Sequence, residues 1–373
     1  MTTRFKIWIR PIGHLGISAL CIMCVPNDVA AQSYPEVTIP GSQTRKITSI
    51  SVPGQEYVLQ ISLPGGYQNS NKKYPVLYLM DSQWDFPLAT ALYGEQYYDG
   101  FIPEIIVVGI TWGGIHPNPD SLRARDYTPT RQSGVPQSGG ADQFLSFMKN
   151  EVFPLIETNY KADKNERILM GSSLGGLFAL YTLFTQPAMF NKYVAASPAY
   201  GWDNQVIYQF EKKYFEKKSN PPARVFMCIG GVESNVPGFQ ALTKSLSDHA
   251  ISSLQIESRI LENTGHSGTK GEGYARGLQF VFKRPALKLS SAVLDKYVGG
   301  YQFNDGTSVD VRKENGILIA YSHQNRIVLY AASENDFYST AGFINVHFKK
   351  DERGNVSGFQ LDRYGSNEFV KRK

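Results

Sequence analysis

The sequence predicts an α/β fold with a mostly parallel central sheet sandwiched between helices, followed by a small C-terminal antiparallel β domain. Two observations predict it. Compact apolar runs of strand length alternate with helical patterns as far as Phe282, and from Leu294 onward only short alternating runs and turn signals remain. A chain of 373 residues, 42% hydrophobic and 19% charged, is long enough for one large core and a second small one.

The elements follow in order. Residues 45–63 alternate as strands do, through Ile47, Ile50, Val52, Val58, Leu59, Ile61 and Leu63, until Pro64-Gly65-Gly66 ends them. Apolar runs at 76–80, 105–110, 167–170, 193–196, 224–229 and 256–261 read as strands buried on both faces. Between them, residues 142–158 show the clearest helix, with Phe144, Phe147, Met148, Val152, Leu155 and Ile156 at helical spacing. Alternation of this kind implies a parallel sheet covered on both sides. Lys283-Arg284-Pro285 breaks the last helix, and Leu289-Ser290-Ser291 reads as a linker. Beyond it the turns Asn304-Asp305-Gly306, Glu314-Asn315-Gly316 and 351–355 separate alternating runs: Val309/Val311, Ile317/Ile319/Tyr321, Ile327/Leu329, Ile344/Val346/Phe348 and Phe359/Leu361. The expected division is a leader at 1–31, a catalytic domain at 32–288 and a barrel-like β domain at 289–373.

The leader carries Arg4, Lys6 and Arg10, an apolar stretch from Ile12 to Val25, and small residues at Val29-Ala30-Ala31. That is the pattern of a cleaved secretory signal, so the expected destination is the periplasm or the exterior. The stretch is shorter than the ~20 residues of a spanning helix, so no integral membrane segment is expected after cleavage. Cys21 and Cys24 fall within the leader, each preceded by a bulky residue rather than the small one a lipid-modified cysteine wants. Only Cys228 stays in the mature chain, in an apolar strand, so neither a disulfide nor a cysteine–histidine zinc site is expected. Of the formal charge of +5, the leader holds +2 once Asp28 is subtracted, leaving +3. So weak a positive balance excludes a polyanion-binding role, and no nucleic-acid partner is expected.

The chemistry is concentrated in Arg167-Ile-Leu-Met-Gly171-Ser-Ser173-Leu-Gly175-Gly176-Leu-Phe-Ala-Leu. An apolar strand runs into Gly-x-Ser-x-Gly and then into a helical run, the context of a nucleophile elbow in an α/β-hydrolase sandwich. Ser173 is the candidate nucleophile. A serine hydroxyl needs a base to take its proton, and in this fold the histidine comes last in the chain. His266 answers, in Thr264-Gly265-His266-Ser267-Gly268 after the last strand. His14 lies in the leader, His116 and His249 do not follow that strand, and His323 and His347 lie in the β domain. The acid belongs on the loop after the preceding strand, where Glu233 is the carboxylate of Gly230-Gly231-Val232-Glu233-Ser234, with Asp203 the next candidate. An oxyanion hole needs two N–H donors. The backbone of Leu174 follows the nucleophile, and the Gln83 amide lies on the loop after the 76–80 strand. For substrate contacts, Trp84 and Trp202 offer aromatic faces and Arg125, beside Arg123, offers a positive charge. Loop packing accounts for such rings equally well, and solvation for such arginines. Neither metal nor cofactor is implied.

Four segments resemble the putative-esterase family of α/β hydrolases: Tyr74-Pro-Val-Leu-Tyr-Leu-Met-Asp81, Arg125-Asp-Tyr-Thr-Pro129, Gly171 to Leu180, and Ala196-Ser-Pro198. That family includes siderophore, feruloyl and acetylxylan esterases, S-formylglutathione hydrolases and mycolyltransferases. The resemblance covers roughly residues 40–285 and is greatest to the siderophore-esterase branch. It implies the acid at Glu233 and the second oxyanion amide at Gln83. Ser82 departs from it, since many members carry glycine after the aspartate. The stretch from Leu294 to Lys373 resembles small lipocalin-like β domains appended to bacterial serine hydrolases. The expected activity is therefore hydrolysis of a small-molecule or saccharide ester through an acyl-enzyme, the ester being a siderophore or an acyl- or feruloyl-decorated saccharide. An acyltransferase using the same triad and a non-catalytic binding protein on a hydrolase scaffold are the alternatives.

Overall fold

The structure, a computed structural model, describes residues 38–373 apart from 218, 250, 324, 341–343 and 364–365. The expected leader, with its cleavage positions and Cys21 and Cys24, lies outside the described residues. The chain runs β1 (Ser42–Thr48), β2 (Glu56–Ser62), β3 (Tyr74–Leu79), α1 (Ser82–Tyr98), β4 (Ile106–Trp112), α2 (Pro119–Tyr127), α3 (Ala141–Phe147), α4 (Phe153–Asn159), β5 (Ala162–Ser172) and α5 (Leu174–Thr185). There follow β6 (Lys192–Ala196), a single turn α6 (Trp202–Gln205), α7 (Ile207–Phe215), β7 (Ala223–Gly230), α8 (Val236–Asp248), β8 (Leu254–Leu261) and α9 (Thr269–Val281).

The eight strands β1 to β8 form one sheet in the order β1-β2-β4-β3-β5-β6-β7-β8. From β4 to β8 every neighbour is parallel, whereas β1, β2 and β4 pair antiparallel, so the 45–63 stretch is a hairpin attached to a parallel sheet. Strand alternation sends successive side chains to opposite faces. Along β3 and just past it, Val76, Tyr78 and Met80 enter the core on one face, while Leu77 and Leu79 enter the core on the other. Both faces are thus apolar and both are covered by helices. Strand β8 departs from the expectation of burial on both faces. It is an edge strand, and Ile260 is 42% exposed.

The helix expected at 142–158 is present but not regular. Residues Met148–Val152 form a π-helical turn between α3 and α4. Pro154 explains it: proline has no N–H to give and its ring crowds the carbonyl four residues back, so the backbone widens there.

After a short turn α10 (Ser291–Leu294), the C-terminal strands are β9 (Gly299–Gln302), β10 (Ser308–Glu314), β11 (Ile317–Ser322), β12 (Asn325–Ala331), β13 (Asp336–Ser339), β14 (Ile344–Lys350), β15 (Val356–Arg363) and β16 (Ser366–Arg372). They close into an antiparallel barrel because β9 pairs with both β10 and β16. Closure removes the exposed strand edges of an open sheet. Val309, Val311, Leu318, Ala320, Leu329, Val346 and Phe359 share its core with Tyr297, which stacks on Phe348 at 4.4 Å.

The barrel meets the rest of the chain near the edge where the parallel strands of the eight-stranded sheet begin. Leu287 N donates to Ala331 O at 2.8 Å, and the Arg284 guanidinium lies 4.1 Å from the Tyr338 ring centre. A cleft of about 940 Å³ opens there, lined by Pro75, Lys192, Arg224, Arg284 and Asn345 among others. Among the described residues no helix is long and apolar enough to cross a membrane.

Candidate active site

The opposite edge, where the parallel strands end, carries the residues with chemistry. Non-glycine residues just past the ends of these strands have positive φ: Asp81 after β3 (54°), Ser173 after β5 (58°), Ser197 after β6 (40°) and Asn263 after β8 (51°). Such backbone costs about 1–3 kcal/mol per residue and persists only where the surroundings enforce it.

At Ser173 the enforcement is visible. Strand β5 ends at Ser172 and α5 starts at Leu174, so the turn between strand and helix is one residue long. Ser173 N donates to Ala196 O at 2.9 Å, and Ser173 O accepts from Leu177 N at 2.9 Å and Ala199 N at 3.0 Å. Chain reversal this tight drives Gly171 against Gly175. A Cβ on Gly171 would lie 2.6 Å from the Gly175 carbonyl carbon, so no larger residue fits. The helix then presents its unpaired first-turn N–H groups, Leu174 foremost, beside the hydroxyl.

His266 and Glu233 meet. His266 Nδ1 lies 2.7 Å from Glu233 Oε2. The other carboxylate oxygen, Oε1, accepts from Ser197 Oγ at 2.6 Å and from Gly230 N at 2.8 Å. Burial pushes the Glu233 carboxyl up, but the bonds from Ser197, His266 and Gly230 outweigh it and hold the group below the usual glutamate value. The Glu233 side chain is 9% exposed and the imidazole 50%, so the acid is sheltered while the ring faces the solvent side. The loop carrying the ring is held from α9, since Thr269 Oγ1 donates to His266 O at 2.7 Å and lies 3.1 Å from Ser197 Oγ. Glu233, not Asp203, is the carboxylate paired with the histidine. Among the described residues the Ser173 hydroxyl makes no side-chain hydrogen bond, so Ser173 and His266 share an edge without being joined.

After β3, Asp81 in its left-handed conformation turns the chain into α1. Trp84 N and Asp85 N both bond to Asp81 O, so the Ser82 and Gln83 amides stay outside the helical ladder. Arg123 fixes this turn by a fork onto the Asp81 carboxylate, Nε to Oδ1 at 3.0 Å and Nη2 to Oδ2 at 2.7 Å. Ser82 is fully buried. Its Cβ fits because β4 carries Gly109 opposite, on which a Cβ would come within 2.5 Å.

The substrate candidates divide. Trp84 is 49% exposed beside Gln83, with the Arg123 guanidinium 5.8 Å from its ring centre. Trp202 is part-buried and its indole N–H donates to Thr130 O at 3.2 Å. Arg125 does not face outward: its guanidinium forks onto buried Asp126 at 2.7 and 3.0 Å and also reaches Gln55 and Tyr57. A carboxylate next in sequence claims it, which the positional reading of an arginine pair overlooked. Sequence reasoning also missed Ser197, Thr269 and the Arg123–Asp81 pair, whose partners lie 36, 72 and 42 residues apart in sequence.

A family model described as "Putative esterase" matches residues 50–270. The chain is 34% identical over 214 residues to ferri-bacillibactin esterase BesA of Bacillus subtilis, an alignment covering 53% of this chain and 73% of that protein. It is 32% identical over 173 residues to the siderophore triacetylfusarinine C esterase of Aspergillus fumigatus, covering 44% of this chain and 59% of that one. Among solved structures, the BES protein of Bacillus cereus superposes with a TM-score of 0.62 at 26% identity, over 67% of this chain and 97% of that chain.

Proposed function

The chain belongs to the "Putative esterase" family, and from that premise we propose that it is a serine carboxylic-ester hydrolase whose substrate is a siderophore ester. The observation that carries the reading is the 2.7 Å contact of Glu233 with His266 Nδ1, on the strand edge that also holds Ser173 at positive φ. In this reading Ser173 Oγ attacks the ester carbonyl carbon while His266 Nε2 takes its proton. The tetrahedral oxyanion rests on the N–H groups of Leu174 and Gln83. Its collapse expels the alcohol, which receives the proton from His266, and leaves an acyl-serine. Water, deprotonated by His266, attacks that acyl group, and the acid departs as Ser173 regains its proton. Glu233 stays ionised throughout, holding the ring with Nδ1 protonated.

The two relatives named above, a ferri-bacillibactin esterase and a siderophore triacetylfusarinine C esterase, support the substrate class. Trp84 and Trp202 supply aromatic faces for it. Arg125 is left out because it is bound to Asp126, and the barrel because its contacts described above lie at the other strand edge. Residues 1–31 are assigned as the export signal, 32–288 as the catalytic domain and 289–373 as the barrel domain, with the mature protein in the periplasm or outside.

The test compares the mature protein with Ser173→Ala on p-nitrophenyl acetate and on a panel of ferric and iron-free triester siderophores, with labelling by a fluorophosphonate. The expected result is turnover and labelling of the parent alone. Equal hydrolysis by both proteins sinks the mechanism. Turnover of the acetate with every siderophore left intact sinks the substrate assignment.

A further inference from the structure

Asp85 is a charged side chain only 2% exposed, one turn into the helix that carries the Gln83 amide. Both of its oxygens are taken by α9: Lys270 Nζ donates to Oδ1 at 2.6 Å and Tyr274 OH to Oδ2 at 2.7 Å. Lys270 and Tyr274 are four residues apart, so they stand on one face of α9. Thr269, the first residue of α9, instead holds the histidine loop through His266 O and approaches Ser197, which in turn holds Glu233. One helix end therefore grips the base and acid on one side and the oxyanion helix on the other.

We propose that Asp85 is a positioning residue, and that its clasp by Lys270 and Tyr274 sets the separation between the Gln83 amide and the His266 ring. The inference rests on the esterase reading above. For packing alone a buried ion pair is a poor choice, because apolar residues of similar volume stabilise as well or better. What the clasp adds is direction: two hydrogen bonds to one carboxylate prevent α1 from sliding or turning on α9. The tetrahedral intermediate needs that geometry more than the bound ester does, because only there must an oxyanion meet its donors while the ring holds the transferred proton.

The test uses the mature full-length chain with Asp85→Asn, Lys270→Met and Tyr274→Phe, the last removing one hydroxyl. Active sites are counted by fluorophosphonate titration, so that misfolded protein does not enter the rates. Expected for Asp85→Asn is a fall of ~10–100-fold in kcat per titrated site on p-nitrophenyl butyrate, with KM within twofold, since small misplacements of this kind cost about that much. Affinity for a trifluoromethyl ketone, which forms a tetrahedral adduct on serine, falls by the same factor across the three variants. A folded Asp85→Asn with parental kcat and ketone affinity overturns the proposal, as does a loss confined to the titrated fraction. Should Asp85→Asn fail to fold, Tyr274→Phe decides by the same two readouts. An inactive parent, by contrast, indicts the esterase reading and not the clasp.

Discussion

Replacing Glu233 by glutamine tests the acid through the hydrogen bonds around it. The Oε1 position receives two donors, Ser197 Oγ and the Gly230 backbone N–H. A backbone N–H cannot be turned round, so the amide oxygen of Gln must take that position and its NH2 must face His266 Nδ1. Nδ1 then becomes an acceptor, the ring proton moves to Nε2, and the atom that should accept the serine proton no longer can. Loss of the charge-assisted bond alone would cost about 1.5–3 kcal/mol, or roughly 10–100-fold. Locking the wrong tautomer raises the expected loss to ~10⁴-fold in kcat, about 5.4 kcal/mol. Fold and size are kept, so at neutral pH the unfolding temperature should fall only by the modest amount that the charged carboxylate contributes. The assay is steady-state hydrolysis of p-nitrophenyl butyrate together with the rate of fluorophosphonate labelling. Both should fall in parallel, and raising the pH should not restore them, because the defect is where the proton sits. A Glu233→Gln enzyme within tenfold of the parent, with Ser173→Ala inactive, would refute the tautomer argument.

Ser173→Gly removes the nucleophile and also relieves a backbone at φ 58°, ψ −118°. It should abolish turnover yet unfold at higher urea than Ser173→Ala, by about 1 kcal/mol after glycine's own entropy cost. Gly109→Ala brings a Cβ within 2.5 Å of Ser82 Cβ and should destabilise by about 1–3 kcal/mol. Adding Ser82→Gly should recover most of that loss in the same urea titration, and two additive losses would deny that these residues share the space. Because bonding lowers the Glu233 carboxyl in the folded protein, its stabilising charge is complete above the ordinary glutamate value, about 4.3, and is lost as pH falls through the lowered one. The difference in unfolding temperature between parent and Glu233→Gln should therefore hold steady from about pH 8 to 5 and close only below about pH 4. A gap that closes already near pH 6 would mean that another group carries it.

Much of this molecule was legible in the chain because its signals are local. The strand–turn–helix around Ser173 is a steric necessity written in consecutive residues. The apolar runs of the parallel sheet declare themselves without knowledge of their partners, and alternation from Val309 to Leu361 exposes most of the barrel. Strands β9, β13 and β16 did not declare themselves. Gly299–Gln302 and Asp336–Ser339 are four residues each, and Ser366–Arg372 is mostly polar; they are strands because barrel closure supplies their partners. The 142–158 helix was visible by its period, but its π turn came from one proline acting on the backbone.

Side-chain partnership could be settled only by tertiary structure. Arg123 and Arg125 look alike in sequence, yet one braces the turn at Asp81 that leads into α1 and the other is drawn inward by Asp126. Likewise, chain order pointed to Glu233, but its holding by Ser197, and the clasp on Asp85, depend on distances across the sheet edge. Covalent geometry and hydrophobic period act over a few residues and can be read along a line. Hydrogen bonds and ion pairs act through a few ångströms of space, and only the folded chain says which residues are that near.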